Sequence, residues 1–260
     1  MANAALQVAR TGLDAQNTRM RVIANNLANV NTTGFKRDRA TFETLAYQAI
    51  TTPGAPSSAE NKYAVGLSLG SGVQMTGTAR IDTQGSFTTT SNSLDLAIEG
   101  SGYFQVRTPD GKTAYTRAGD FSLSPEGALV TSAGLPVQPA ITIPTGAQAI
   151  TIGSDGTVSA TVEGAVTELG KIETANFVNA AGLQSLGDNL LAETPASGAP
   201  QVGAPGLEGR GSIRSGALEA SNVNVVEELV DMIETQRAYE VNSKMISAAD
   251  EMLKYVNQQL

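Results

Sequence analysis

The residues nearest to a catalytic constellation are two adjacent acidic pairs, Glu227-Glu228 and Asp250-Glu251. Paired carboxylates divide acid and base roles only when both face one substrate. Neighbours on a helix face apart, so both pairs read as surface charge. Gly70-Ser71-Gly72 and Gly100-Ser101-Gly102 have the look of phosphate loops, but neither is followed by Lys-Ser/Thr or has dinucleotide-fold glycine spacing, and both read as turns. Met20, Met232, Met245 and Met252 read as adaptable core filler, because thioethers without His or Cys are rare metal ligands. Asn31-Thr32-Thr33 has the spacing of a glycosylation acceptor and is read as a chance match inside a helix end. The chain holds no Cys, His or Trp, which removes disulfides, thiolate nucleophiles, Cys/His zinc sites and any imidazole base. Catalysis would have to rest on carboxylate, Lys or Tyr. The expectation is a protein that is not an enzyme, with no cofactor and no metal.

The surface points the same way. Seventeen Lys and Arg against 25 Asp and Glu give a net charge of -8 over 260 residues. Such a field repels nucleic acid and anionic lipid, so no nucleic-acid partner is expected. Residues 1–10 lack the basic cluster and apolar run of a secretory signal, and no later stretch has the length and apolarity of a membrane span. The expectation is no membrane insertion and, for work outside the cytoplasm, a route that cleaves no signal peptide.

The elements that must position any working residue fall into three kinds. From Asn3 to Val30 there is no Pro and one Gly, and Leu6, Ala9, Leu13, Gln16, Met20, Ile23, Leu27 and Val30 recur at alternating steps of three and four. This heptad seam predicts a helix of roughly 40 Å, ended by Asn31-Thr32-Thr33-Gly34. The C-terminal segment repeats the pattern through Leu229, Met232, Gln236, Tyr239, Ser243, Ile246, Ala249, Leu253, Val256 and Leu260. Asn224 with Glu227 resembles a capping box, and Glu227, Glu228 and Asp231 suit the positive end of the helix dipole. Residues 1–40 carry six basic and two acidic groups, residues 213–260 four basic and eight acidic. Opposite sign lowers the cost of packing these ends together, within one chain or between copies.

Two Pro/Gly/Ser-rich arms, 51–61 and 194–206, bracket the middle and read as extended backbone. Between them, short runs at Leu94 to Ile98, Tyr103 to Arg107 and Thr113 to Arg117 alternate with turn signals such as Pro109-Asp110-Gly111, Pro125-Glu126-Gly127 and Asp155-Gly156. The predicted fold class is α+β: two terminal helices forming a coiled-coil-like axial domain and a central antiparallel β-domain carried on extended arms. The expected segments are 1–45 (helix and helix-end motif), 46–72 (arm), 73–191 (β-domain), 192–212 (return arm) and 213–260 (C-terminal helix). Helices with an apolar seam draw their stability from packing. Many copies stacking head to tail satisfy both seams and give an open helical polymer. A β-domain on a closed helical stalk, as in a surface adhesin, is the other architecture that this pattern allows.

Four motifs resemble the bacterial flagellar rod and hook axial proteins. They are Asn25-Asn26-Leu27-Ala28-Asn29-Val30-Asn31-Thr32-Thr33-Gly34-Phe35-Lys36; Leu96-Ala97-Ile98-Glu99-Gly100-Ser101-Gly102-Tyr103-Phe104; Tyr115-Thr116-Arg117-Ala118-Gly119-Asp120-Phe121; and Leu218-Glu219-Ala220-Ser221-Asn222-Val223-Asn224, continued by Glu227-Glu228-Leu229, Met232-Ile233 and Gln236-Arg237-Ala238-Tyr239-Glu240. The resemblance spans essentially the whole chain. It implies a structural subunit of the rod, in its distal part, polymerising helically into the drive shaft that carries torque from motor to hook; a proximal-rod or hook subunit is the alternative within the family. It implies further copies of the chain, proximal rod and hook subunits, outer ring bushing proteins and the flagellar export apparatus as partners, and the periplasmic rod of the basal body as the location. It also implies that 46–62 with its central Tyr47 wedges between neighbours and limits sliding. The residues expected at self-contacts are Leu6, Leu13, Met20, Ile23, Asn26, Leu27, Asn29, Asn31, Gly34, Phe35, Tyr47, Asn222, Asn224, Leu229, Met232, Gln236, Arg237, Tyr239, Ile246 and Leu253.

Overall fold

The Pro-free, heptad-bearing ends fold as helices and the turn-rich middle folds as short antiparallel strands in the computed structural model, which describes residues 2–54, 56, 64–144, 146–162 and 164–258. The chain divides into two units, one gathering Met1–Leu27, Asp38–Ala79 and Val225–Leu260, the other Ala28–Arg37 and Arg80–Asn224.

The first unit contains α1 (Ala2–Ala28), β1 (Asp38–Thr44), β2 (Gln48–Thr51), β3 (Leu67–Leu69), β4 (Val73–Arg80) and α2 (Val225–Gln258). β1 pairs with β4, and β2 with β3. Strand β4 alternates, with Val73, Met75, Gly77 and Ala79 turned inward. Val73 and Met75 meet Thr11, Ala15 and Thr18 of α1 around a groove of about 290 Å³, and the Val73 amide donates to Thr11 Oγ1 at 3.3 Å. No helix among the described residues is long and apolar enough to cross a membrane.

The second unit holds β5 (Phe87–Thr89), β6 (Leu96–Glu99), β7 (Tyr103–Arg107), β8 (Thr113–Thr116), β9 (Phe121–Leu123), β10 (Leu129–Thr131), β11 (Val137–Gln138), β12 (Ala147–Ile152), β13 (Thr157–Val162), β14 (Ala165–Lys171), β15 (Thr174–Asn176), β16 (Gln184–Gly187), β17 (Leu190–Ala192), β18 (Gln201–Gly203), β19 (Ser212–Ser215) and β20 (Ala217–Glu219). The main sheet runs β16-β17-β8-β7-β15-β18, with β11 also on β7, and β12-β13-β14 form a second sheet. Both faces of the main sheet are covered, which is why β7 and β8 are buried almost without interruption. Phe104, Val106 and Ala114 enter a cluster with Leu96, Ile98, Phe121 and Ile172, while Tyr103 and Tyr115 point to the opposite face and join Phe177, Leu183 and Leu191. Phe177 meets the Tyr115 ring edge-on at 4.8 Å between centroids.

The strands at Tyr103–Arg107 and Thr113–Thr116 and the turn glycines match the sequence expectation. Other elements differ from it. β1 lies in the stretch read as a helix end. β19 and β20 lie in the stretch read as the start of the C-terminal helix and pair instead with β6 and β5. The arms also carry strands: β2 and β3 pair within 46–72, and β18 of the return arm closes one edge of the main sheet. These strands are three to seven residues long. Over so few residues alternation carries little signal, and partners distant in sequence decide the conformation.

Candidate functional site

In the second unit the four motifs meet at one buried ion cluster. Glu219, at the end of β20, accepts from Lys36 Nζ at 2.6 Å through Oε1 and from Arg117 Nε at 2.8 Å through Oε2. All three side chains are almost wholly shielded from solvent. Lys36 also donates to the Thr83 carbonyl at 2.8 Å, and the Gly85 amide donates to Glu219 Oε1 at 3.0 Å. The Arg117 guanidinium reaches the carbonyls of Gly102, Gly100 (2.7 Å) and Ile98 (3.3 Å), which belong to the strand-turn motif of β6 and β7. Burial lowers the Lys36 ammonium from the usual lysine range, opposed by its hydrogen bond to and charge attraction from Glu219. Two cations share one carboxylate, and the carbonyls complete their hydrogen bonding; a buried charge is tolerable only when paired and fully bonded in this way.

Glycine makes the approach feasible. Gly34 has φ +69°, and a Cβ there would stand 2.6 Å from the backbone of Arg117 and Ala118. Its amide donates to the Glu219 carbonyl at 2.8 Å. The stop signal of α1 therefore also seats the chain against the middle motif. Beside it, Asn222 Oδ1 accepts from the Arg37 amide at 2.8 Å, while its Nδ2 donates to the carbonyls of Ile81 (2.8 Å) and Thr83 (3.0 Å). Asn29 is half-buried and accepts from Thr32 Oγ1 at 3.1 Å, Phe35 is half-buried, and Asn31 is exposed. Lys36, Arg117 and Glu219 were not among the residues singled out from the sequence. The only signal was a charge inside each motif, and single charges ordinarily mean solvated surface.

The first unit presents a different kind of surface. α1 and α2 pack against each other antiparallel: Arg19 Nη2 bonds Asp231 at 3.1 Å, and buried Asn26 donates to both oxygens of buried Glu228 at 3.2 and 3.3 Å. Asn26 also exchanges two 2.9 Å bonds with the backbone of Asp38 at the start of β1. A Cβ on Gly12 would lie 3.0 Å from the Asn242 amide, so the helices approach closely there. Among the described residues the buried positions of α2 are Glu228, Thr235 and Ala249, with Asn242 half-buried between them, all in heptad register. This line runs one residue before the expected Leu229 and Gln236. Small and hydrogen-bonding side chains fill the close seam, and the larger apolar ones stay outside.

The expected self-contact residues divide accordingly. Ile23 and Asn26 are buried in α1, and Leu6, Leu13, Met20 and Leu27 are half-buried along one stripe. In α2, Met232 and Ile246 are half-buried, whereas Leu229, Gln236, Arg237 and Tyr239 are exposed and Asn224 is exposed just before the helix. The side chains of Leu253, Val256 and Leu260 lie outside the described residues, as do 55 and 57–63 of the arm. Val226, Val230 and Ile233 are also exposed and share the side of α2 away from the Glu228–Ala249 line, and Val241, Met252 and Tyr255 are exposed as well. On the β2–β3 hairpin, Tyr47 is 63% exposed, and Ile50, Leu67 and Leu69 are exposed with it.

Comparison with known proteins agrees with this division into helical ends and a β middle. Residues 6–36 match the family described as flagella basal body rod protein, residues 97–160 the flagellar hook protein FlgE/F/G D1 domain, and residues 214–259 the flagellar basal body rod FlgEFG protein C-terminal family. The chain is 52% identical over 255 residues to the flagellar basal-body rod protein FlgG of Buchnera aphidicola subsp. Acyrthosiphon pisum, covering 97% of this chain and 98% of that one. It is 49% identical over 259 residues to the FlgG of Agrobacterium fabrum, covering 98% and 99%. To the flagellar basal-body rod protein FlgF of Caulobacter vibrioides it is 39% identical over 248 residues, covering 93% and 92%. With helical ends, β middle and all four motifs accounted for over nearly its full length, this chain belongs to the flagellar basal-body rod protein family.

Proposed function

We propose that this rod subunit occupies the distal part of the shaft, stacking helically on its own copies between the proximal rod and the hook. The near-complete match to FlgG proteins, at higher identity than to FlgF, carries this reading. α1 and α2 then form the coiled-coil-like inner layer of the polymer. The residues that the sequence assigns to self-contact act at two levels. Ile23 and Asn26 hold the helix pair within a subunit, while Leu229, Gln236, Arg237 and Tyr239, with the apolar side chains beside them, meet neighbouring copies. An exposed apolar stripe along a 34-residue helix exceeds what an isolated chain leaves in water without a partner.

Segment 46–72 is the stiffening element of this proposal. Its β2–β3 hairpin offers Tyr47, Ile50, Leu67 and Leu69 to an adjacent subunit and restrains sliding. The subunit leaves the cytoplasm through the flagellar export apparatus without a cleaved signal, works in the periplasm, and turns within the outer ring bushing. A strain lacking the gene tests the assignment by electron microscopy of its basal bodies. Shafts that stop short of the hook are expected, and a full-length shaft with a hook would remove the proposal.

A further inference from the structure

The ion cluster sits in segments that give no side chain to the hydrophobic clusters of the second unit and meet them through polar bonds, Asp82 accepting from the Tyr103 hydroxyl at 2.9 Å and Gln84 Nε2 donating to the Ile98 carbonyl at 2.6 Å. Among the described residues, neither apolar cluster takes a member from 28–37, 81–90 or 216–223. Phe87, in the middle segment, is half-buried beneath the Arg214 guanidinium, 5.6 Å from the ring centre. Strand β5 pairs only with β20, apart from the main sheet. What joins these three segments is polar. Gly34 donates to the Glu219 carbonyl, Ile81 to the Arg37 carbonyl at 2.9 Å, and Ala220 to the Ser86 carbonyl at 2.8 Å. Asn222 bridges Arg37, Ile81 and Thr83, and the Glu219 carboxylate gathers Lys36, Arg117 and Gly85.

Local opening is easiest where little apolar area is lost and hydrogen bonds carry the structure. We infer that residues 34–37, 81–90 and 216–223 form a latch pinned by Glu219, which opens and closes as one piece while the two apolar cores of the β-unit stay folded. The pin is a single carboxylate. Without its charge, Lys36 and Arg117 become two buried cations that have lost their shared counter-ion, with only the weaker attraction of Asp82 left on Lys36, and the latch loses its hub. The three segments supply no side chain to either apolar cluster and bury only Ala217 and Val223 among their apolar residues, so they part together. Arg117 directly follows β8 and remains with the core, so opening withdraws Glu219 from a seat that persists and the latch can close again.

Native-state hydrogen exchange on the full-length monomer tests this. In the wild type, the amides of Gly34, Ile81, Gly85 and Ala220 should exchange through one shared opening, faster than the core amides of Leu129 and Ile172. Glu219→Gln, which keeps the shape and removes the charge, should accelerate all four by about a hundredfold or more and leave Leu129 and Ile172 within about threefold. Asn222→Ala leaves the ion cluster intact and should accelerate Gly34, Gly85 and Ala220 together by about tenfold, although none of them bonds Asn222. Equal acceleration of latch and core amides, up to complete unfolding of the Glu219→Gln protein, would overturn a separable latch. So would an Asn222→Ala effect confined to Arg37 and Ile81.

Discussion

The two units solve burial in opposite ways. The β-unit puts its large side chains inside: Phe104, Tyr103, Leu96, Ile98 and Ile172 are almost completely covered, in two clusters on opposite sides of one sheet. The helical unit does the reverse. Among its described residues the buried positions are Ala9, Ala15, Ile23, Asn26, Glu228, Thr235 and Ala249, while Val226, Val230, Ile233, Val241, Met252 and Tyr255 are exposed. One unit buries its large apolar side chains; the other leaves many of them exposed. An isolated chain is therefore expected to owe its stability mainly to the β-unit.

Truncations sharpen that contrast most. Phe104→Ala should destabilise the β-unit by about 3–5 kcal/mol, read as a drop in the urea midpoint followed by tyrosine near-ultraviolet dichroism. Next comes Asn26→Ala in the helical unit, which strips the paired bonds to Asp38 and those to Glu228. It should cost about 2 kcal/mol and appear in helical dichroism at 222 nm before the tyrosine signal changes. Simultaneous loss of both signals would show that the units do not unfold separately. Ile233→Ser, at a side chain half exposed to water, should change monomer stability by less than about 0.5 kcal/mol. A loss comparable to that of Phe104→Ala would mean that α2 is already covered in the isolated chain.

Alkaline pH separates the units more gently. Burial, with the charge of Glu193 second, pushes the Tyr115 hydroxyl up to about 12 from 10.0, and burial beside Asp82 pushes Tyr103 up further. Both hydroxyls keep their protons in the folded state at pH values where the unfolded chain has released them. Their contribution is whole below pH 10 and is lost as pH rises through the folded values. Lys36, shifted downward, acts in the other direction, but only below the ordinary lysine value of 10.5. Above that value, the urea midpoint of the β-unit should fall steadily toward pH 12. The described tyrosines of the helical unit, Tyr47, Tyr239 and Tyr255, are exposed. A flat profile from pH 10.5 to 12 would contradict the buried placement of the two phenols.

The same contrast governs what was legible beforehand. Strands β7 and β8 could be read because turn signals frame them and their residues alternate. The helices could be read because Pro is absent and the heptad persists. Their packing line could not, since heptad reading favours the larger side chain at each step, and at Gly12 and Asn242 closeness was decided by smallness. The ion cluster was hidden for another reason. Lys36, Arg117 and Glu219 are far apart in sequence, and nothing local shows that three single charges share one buried point. The β1 and β19–β20 pairings were invisible for a similar reason, because each strand depends on a partner outside its own segment.

The exposed face of α2 bears most directly on the whole account, and the natural absence of cysteine makes it measurable without background. Single Val230→Cys, Ile233→Cys and Val241→Cys substitutions should react rapidly with a maleimide in the purified monomer and be protected at least about tenfold in isolated basal bodies, while Ser122→Cys on the exposed part of β9 reacts in both. Equal reactivity of the three α2 positions in monomer and basal body would contradict the assignment of that face to neighbouring subunits.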